Sequence, residues 1–194
     1  MHIRKFPPAL VCICVAFATG CASSPADDPK VTSRIFDSGV AAYDAKDYQK
    51  AFSIFSSIQD RDLAAMRNVA LMLRKGQGVA KDPRAAEEEY ARAARGGLAT
   101  AAADLGEMLL NGEAGPPDPK GALPWLLGAA AAGHPVAAFQ AAEILEQGNG
   151  VPQDIPMARK LYTLASKAGV KDAEARLDGL PPDPSTLRPY RPNP

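Results

Sequence analysis

A 36-residue repeat constrains the fold of this chain more than any other feature of its sequence. The segments 64–99, 100–135 and 136–171 align without gaps. The columns that carry the same residue in all three copies include Gly76, Gly112 and Gly148; Asp82, Asp118 and Asp154; Ala86, Ala122 and Ala158; and Gly97, Gly133 and Gly169. A period of this length is typical of solenoids, in which each unit buries its apolar face against its neighbours.

Each copy is predicted to be a hairpin of two α-helices. In the first copy, apolar residues at offsets of 0, 3, 4 and 7 mark one face of a helix: Met66, Val69, Ala70 and Leu73. A second stripe follows at Ala86, Tyr90 and Ala93. Between the stripes, Gly76 suits a left-handed helix C-cap, and Asp82 followed by Pro83 suits the start of the next helix.

Two further pieces extend the repeat in both directions. Upstream, Ala51, Phe55 and Ile58 reproduce the spacing of the second stripe, which indicates a shorter hairpin. Downstream, residues 172–180 begin a helix without a partner, and we predict that this helix caps the last apolar face. The sequence therefore predicts an all-α solenoid over residues 33–180, with four hairpins and a capping helix.

The repeat resembles the Sel1-like repeat, a relative of the tetratricopeptide repeat. The likeness rests on the Leu105-Gly106 pair, the Gly-x-Gly-Val loop at 76–79, the Asp82-to-Ala86 step and the Ala-Ala-x-x-Gly ending at 129–133. It implies a right-handed α-solenoid that binds other proteins. The second copy departs from the pattern, because its loop at 112–118 lacks the second glycine at the expected place.

The start of the chain has the features of an export signal. Arg4 and Lys5 precede an apolar run at 10–18, which is too short to span a bilayer. The sequence Ala-Thr-Gly-Cys ending at Cys21 resembles the lipobox of bacterial lipoproteins, which implies that Cys21 is acylated. Ala22 after it implies the outer membrane in that family. The alternative is an ordinary signal peptide. We expect a signal peptide at 1–20, and the acylated Cys21 with a polar linker at 21–32.

The last segment, 181–194, contains six prolines. We interpret it as a disordered tail; the alternative is a docking peptide gripped through Arg188, Tyr190 and Arg191.

Chemistry-bearing motifs are absent from the sequence. The 22 basic and 22 acidic residues form no basic stripe, so we expect no nucleic-acid partner. We find no nucleophile–base motif, phosphate loop, metal motif or cofactor motif. After signal removal, His134 is the one histidine, and we expect it to have a structural or solvent role. We therefore predict no catalytic residue, metal or cofactor, and no small-molecule substrate.

The tetratricopeptide likeness also implies which residues line the concave groove. The implied partner-binding residues are Phe36, Tyr43, Arg67, Leu71, Arg74, Lys75, Glu107, Asn111, Phe139, Glu143 and Glu146, with Val40, Asp44, Leu110 and Gln147 beside them. Basic residues lie toward the N-terminal half of this set and acidic residues toward the C-terminal half. The hypothesis is that a partner segment lies along this gradient; the alternative is a merely solvated face.

Together these features predict a lipid-anchored, periplasm-facing scaffold for other envelope proteins. Two alternatives stay open at this point: an envelope enzyme that hydrolyses cell wall or β-lactams, and a secreted effector or adhesin directed at a host.

Overall fold

The computed structural model describes residues 28–182, and these residues form nine α-helices and no strand. In chain order the helices are α1 (Pro29–Asp44), α2 (Tyr48–Ile58), α3 (Leu63–Lys75), α4 (Pro83–Arg95), α5 (Ala99–Asn111), α6 (Pro119–Ala131), α7 (Pro135–Gln147), α8 (Ile155–Lys167) and α9 (Lys171–Gly179). The all-α prediction is confirmed for this part of the chain.

The helices pack mainly with their neighbours in sequence. α1 pairs with α2, α3 with α4, α5 with α6 and α7 with α8, and each hairpin then contacts the next one through α2–α3, α4–α5, α6–α7 and α8–α9. The predicted solenoid of helical hairpins is therefore confirmed. The last helix, α9, packs against α8 but is not followed by a second helix among the described residues. The buried Leu180 covers the end of the core there.

The solenoid begins earlier than expected. α1 starts at Pro29, inside the segment 21–32 that we predicted as linker. Asp28 accepts a hydrogen bond from the Lys30 amide at 2.9 Å, and Pro29 has the fixed φ angle that suits a first helical position. The other predicted boundaries outside residues 28–182, those of the signal peptide and the tail, lie outside the described residues.

Glycine and aspartate set the ends of the helices as their columns predicted. Gly76 ends α3 in the left-handed region with φ 69°, and Gly112 and Gly148 do the same for α5 and α7. Asp82 accepts a hydrogen bond from the Ala85 amide at 3.0 Å at the start of α4. Asp118 and Asp154 cap α6 and α8 in the same way.

The core stacks small residues against large side chains, and one column of large side chains recurs in each Sel1-like unit. Tyr90, Leu126 and Tyr162 occupy the same column of α4, α6 and α8, and each is fully buried. The alanines four residues earlier, in the column of Ala86, are also fully buried. Alanine lets neighbouring helices approach closely, and the large side chain fills the space between them, as close-packed interiors require.

The loop between paired helices closes onto the preceding hairpin where a glycine stands two residues after the glycine that ends the first helix. Gly78 has φ 72°, and a Cβ atom there would lie 2.2 Å from the Tyr48 carbonyl oxygen at the start of α2. Gly150 likewise has φ 72° and lies against Lys120 at the start of α6. The second copy has Ala114 at the corresponding position.

We predict that Gly78→Ala destabilises the protein more than Gly97→Ala. Both glycines have positive φ, which costs a residue with a side chain about 1–3 kcal/mol. A Cβ at Gly97 meets nothing within 4 Å, whereas one at Gly78 meets backbone, which adds about 1–3 kcal/mol of overpacking. Urea unfolding of both variants measures the difference. Equal losses would show that the loop does not depend on this close approach.

Candidate protein-binding surface

The first helices of successive hairpins form the inner surface of the solenoid. α5 contacts α7 directly, and side chains of α3 and α7 reach the next first helix, α5 and α9 respectively. A curved stack is concave on the side where its elements lie closest, so α1, α3, α5, α7 and α9 face inward. This inner surface is the surface that solenoids use to bind partners.

An apolar cavity of about 140 Å³ lies between α1 and α3 on this surface. Its lining residues are Val40, Tyr43, Phe55, Asn68 and Leu71. The Tyr43 hydroxyl donates a hydrogen bond to Oε1 of Gln77 at 2.9 Å, which fixes the ring at the cavity edge. The structure thus brings together two of the predicted groove residues, Tyr43 and Leu71. A third predicted groove residue, Phe36, lies one turn before Val40 on α1, and its ring centroid is 5.5 Å from that of Phe55.

The predicted arginines are bound to carboxylates of the next unit. Arg67 Nε donates to Oδ2 of Asp104 at 2.6 Å. Arg74 Nε donates to Oε2 of Glu113 at 2.7 Å, and its Nη2 lies 3.1 Å from Oε1 of Glu107. These contacts bridge α3 to α5 and to the loop that follows α5.

A second group of ion pairs closes the C-terminal end of the surface. Arg176 of α9 contacts Glu143 at 2.7 Å and Glu146 at 3.4 Å, both on α7. The Tyr162 hydroxyl donates to Oε2 of Glu146 at 2.6 Å. The predicted residue Phe139 packs its ring edge-on against Tyr162, with the centroids 5.4 Å apart.

The expected gradient from a basic half to an acidic half is replaced by alternating, paired charges. Asp104, Glu113 and Arg176, which we had not placed in the groove, neutralise the predicted residues. Among the predicted residues, Asn111 is exposed and its amide lies 3.5 Å from Glu113. Lys75 is also exposed, and within residues 28–182 it has no hydrogen-bonding or ionic partner. One sequence signal could have revealed the pairing: the partners carry opposite charges and are about one period apart.

The Arg74–Glu113 contact shifts both groups toward their charged forms. The hydrogen bond from Arg74 lowers the pKa of the Glu113 carboxyl, although partial burial acts in the opposite direction. The hydrogen bond to Glu113 likewise raises the pKa of Arg74. Both pKa shifts favour the charged forms, so the pair is ionised at neutral pH.

Tyr90 and Tyr162 occupy one column but differ in their partners. Burial is the main cause that raises the pKa of both phenols. The residue sixteen positions before Tyr162 is Glu146, which accepts its hydrogen bond. The residue sixteen positions before Tyr90 is Arg74, which carries donors but no acceptor, so the hydrogen of the buried Tyr90 hydroxyl has no acceptor there.

Two residues considered for chemistry have structural contacts instead. Nδ1 of His134 accepts the Ala137 amide at 3.3 Å and so caps the start of α7. Trp125 is half-buried and packs against both of the core clusters around α5.

No group of three or more His, Cys, Asp or Glu residues in metal-binding arrangement occurs between residues 28 and 182. No helix in that range is long and apolar enough to cross a membrane. Cys21 lies outside the described residues.

Comparison with known proteins agrees with this architecture. The family model of the Sel1 repeat matches residues 63–98, 99–134 and 135–170, one residue before the boundaries we derived from the sequence. The chain belongs to the Sel1 repeat family. Sel1 repeats generally mediate protein–protein interactions, and Sel1 repeat proteins are generally non-enzymatic scaffolds.

Two solved structures share the Sel1 fold. A Sel1 repeat protein from Oxalobacter formigenes is 30% identical, with a TM-score of 0.66 over 73% of this chain and 58% of the other. A protective antigen of uropathogenic Escherichia coli that displays an SLR fold is 23% identical, with a TM-score of 0.70 over 76% of this chain and 33% of the other. This chain thus spans less than two thirds of either protein. No match was found among curated protein sequences.

We predict opposite effects for the same change at two equivalent positions of the Sel1 units. Tyr162→Phe removes the hydrogen bond to Glu146 and should lower the free energy of unfolding by about 1 kcal/mol. Tyr90→Phe removes a buried hydroxyl whose hydrogen has no acceptor, and it should be neutral or stabilising by up to about 1 kcal/mol. Denaturant unfolding compares them. An equal loss in both variants would show that the Tyr90 hydroxyl does have a stabilising partner.

We also predict that the stability contribution of Glu113 depends on pH. Because its folded-state pKa lies below the ordinary value of 4.5, the contribution is complete above that value and is lost as pH falls through the lowered pKa. Glu113→Gln should cost about 1 kcal/mol at pH 7, and the difference from the unsubstituted protein should shrink toward pH 3. Asp37→Asn, at an exposed carboxylate of α1 without an ion pair among residues 28–182, is the control and should show no such trend. A pH-independent loss in Glu113→Gln would contradict the ion pair.

Proposed function

We propose that this Sel1 repeat protein is an envelope scaffold, anchored through a lipid on Cys21, that binds a segment of another envelope protein along its inner surface. The supporting observation is the apolar cavity between α1 and α3, which lies on a surface that also carries several ion pairs. Binding sites typically combine an apolar anchor point with a few polar groups that fix orientation.

The size of the cavity fits one apolar side chain of a partner. Its volume is about 140 Å³, and an apolar cavity of about 150 Å³ in another protein holds a benzene ring. We therefore propose that an extended or helical segment inserts a single large apolar side chain between Val40 and Leu71. The paired charges further along the inner surface orient the rest of the segment.

The envelope location rests on the sequence before residue 28. A basic start, a short apolar run and a cysteine behind small residues fit an exported lipoprotein. Acyl chains at Cys21 would hold the scaffold at a membrane, since two chains give stable anchoring. The polar residues between Cys21 and α1 then serve as the tether.

We expect a photoreactive residue at Leu71 to crosslink a discrete partner in membranes of cells that produce the full chain. The same residue at Lys160, an exposed position on α8 outside the inner surface, is the matched control and should crosslink no discrete partner. Mass spectrometry identifies the partner. Leu71→Glu should reduce its recovery about tenfold, because a charge then replaces the apolar contact.

Controls separate binding from folding and from anchoring. Arg67→Glu and Arg74→Glu are poor probes, because each would place a carboxylate beside the acids that the arginine now neutralises. Lys75→Glu changes the surface charge without breaking an ion pair of the described structure. Cys21→Ala should move the protein from the membrane to the soluble fraction. Equal crosslinking from Leu71 and Lys160, or an unsubstituted protein already found in the soluble fraction, would overturn the proposal.

A further inference from the structure

The irregular loop of the second Sel1 unit lines a cleft. In the first and third units, Gly78 and Gly150 use positive φ angles to bring the loop against Tyr48 and Lys120. In the second unit the corresponding residues are Ala114 and Arg84, and they line a cleft of about 560 Å³. We call this the loop-edge cleft. Because alanine does not readily adopt the left-handed backbone, the loop cannot close in the same way.

The loop-edge cleft has an apolar floor and an acidic rim. Met108 and Leu109 form the floor, and Met108 is almost fully buried. The other lining residues are Arg84, Glu87, Glu88, Gly112, Ala114, Gly115, Pro116, Pro117 and Asp118. The rim therefore carries three carboxylates and one guanidinium, so its net charge is negative.

Two of these carboxylates have no partner of their own. Glu87 and Glu88 form no hydrogen bond or ion pair within residues 28–182, whereas the adjacent Glu89 binds Arg92 at 2.9 Å. The third, Asp118, is occupied, since it accepts the Gly121 amide at the start of α6. The rim thus offers two free negative charges beside apolar surface, and it fits an extended segment with cationic and aromatic side chains.

The chain itself leaves the solenoid along the same edge. α9 runs in the direction of the other first helices, so it ends at the edge where the loops after α3, α5 and α7 lie. Leu180 is buried there, and the Pro181 carbonyl oxygen accepts a hydrogen bond from Arg159 of α8. Residues 183–194 continue from this point, two units away from the loop-edge cleft.

Those residues are long enough to reach the cleft. Successive first helices are in contact, so each unit advances the solenoid by about one helix spacing, or roughly 10 Å. Two units therefore correspond to about 20 Å. A proline-rich segment that extends about 3.1 Å per residue would let Arg188 reach about 19 Å and Tyr190 about 25 Å from Pro182.

We propose that residues 187–191 of this chain occupy the loop-edge cleft of the second unit. Tyr190 lies on the apolar floor formed by Met108 and Leu109, and Arg188 and Arg191 bind Glu87 and Glu88. Each part of the segment has its counterpart in the cleft: an aromatic ring for the apolar floor, and two cations for the two unpaired carboxylates. This contact is separate from the inner surface and does not depend on the function proposed above.

The test is a photocrosslinking experiment on the full chain with p-benzoylphenylalanine in place of Tyr190. Peptide mapping should place the crosslink within residues 108–118. Glu87→Lys combined with Glu88→Lys should reduce its yield about tenfold, because attraction becomes repulsion. Adding Arg188→Glu and Arg191→Glu to that variant should restore it, since the charges are then exchanged.

Controls distinguish this contact from other occupants and from loss of folding. Asp37→Lys with Asp44→Lys, on exposed positions of α1, should leave the yield unchanged, and far-ultraviolet circular dichroism should show full helicity in every variant. A mixture of isotopically light and heavy chains should yield crosslinks only within one chain. Crosslinks between light and heavy chains, crosslinks outside the cleft, no crosslink, or failure of the exchanged charges to restore the yield would each overturn the proposal.

Discussion

The solenoid depends on the contact between the fully buried alanines in the column of Ala86 and the large buried side chains in the column of Tyr90. A single helical hairpin cannot bury both of its apolar faces, so each unit relies on the next. The column of Ala86 brings the helices close together, and the column of Tyr90 fills the remaining space. Because these columns repeat every 36 residues, the helix spacing repeats as well. The inner surface and the loop edge both take their geometry from this regular packing.

The polar contacts on the inner surface follow from that spacing. Side chains that are about one period apart in sequence come within hydrogen-bond distance, as Arg67 and Asp104 do at 2.6 Å. Half-exposed ion pairs of this kind contribute little to stability individually. Their geometric effect is larger, because the two carboxylates that bind Arg74 tie α3 to both α5 and the following loop. The packing of the core sets the distance between units, and the ion pairs favour one rotation of each unit relative to the next.

The sequence was sufficient for the fold, because each local signal has one physical meaning. Gly76 can end a helix in the left-handed region and Asp82 can cap the next one, and repetition confirmed both assignments three times over. The pattern does not predict the start of α1, because a proline fits a linker as well as a first helical position. The ion pairs were also missed, since the contacts between units depend on the rotation of each helix, which a one-dimensional pattern does not contain.

The pairing of the inner arginines limits how a partner can bind there. A partner carboxylate that approaches Arg74 must compete with Glu107 and Glu113, which already satisfy the guanidinium. Exchanging one carboxylate for another yields little net free energy, so charge alone would give weak binding. The apolar cavity lined by Val40 and Leu71 has no such competitor, because only solvent must leave it. For the proposed partner segment, we therefore expect the free energy of binding to be concentrated at the N-terminal end of the inner surface, and we expect the charges beyond it to select the direction in which the segment lies.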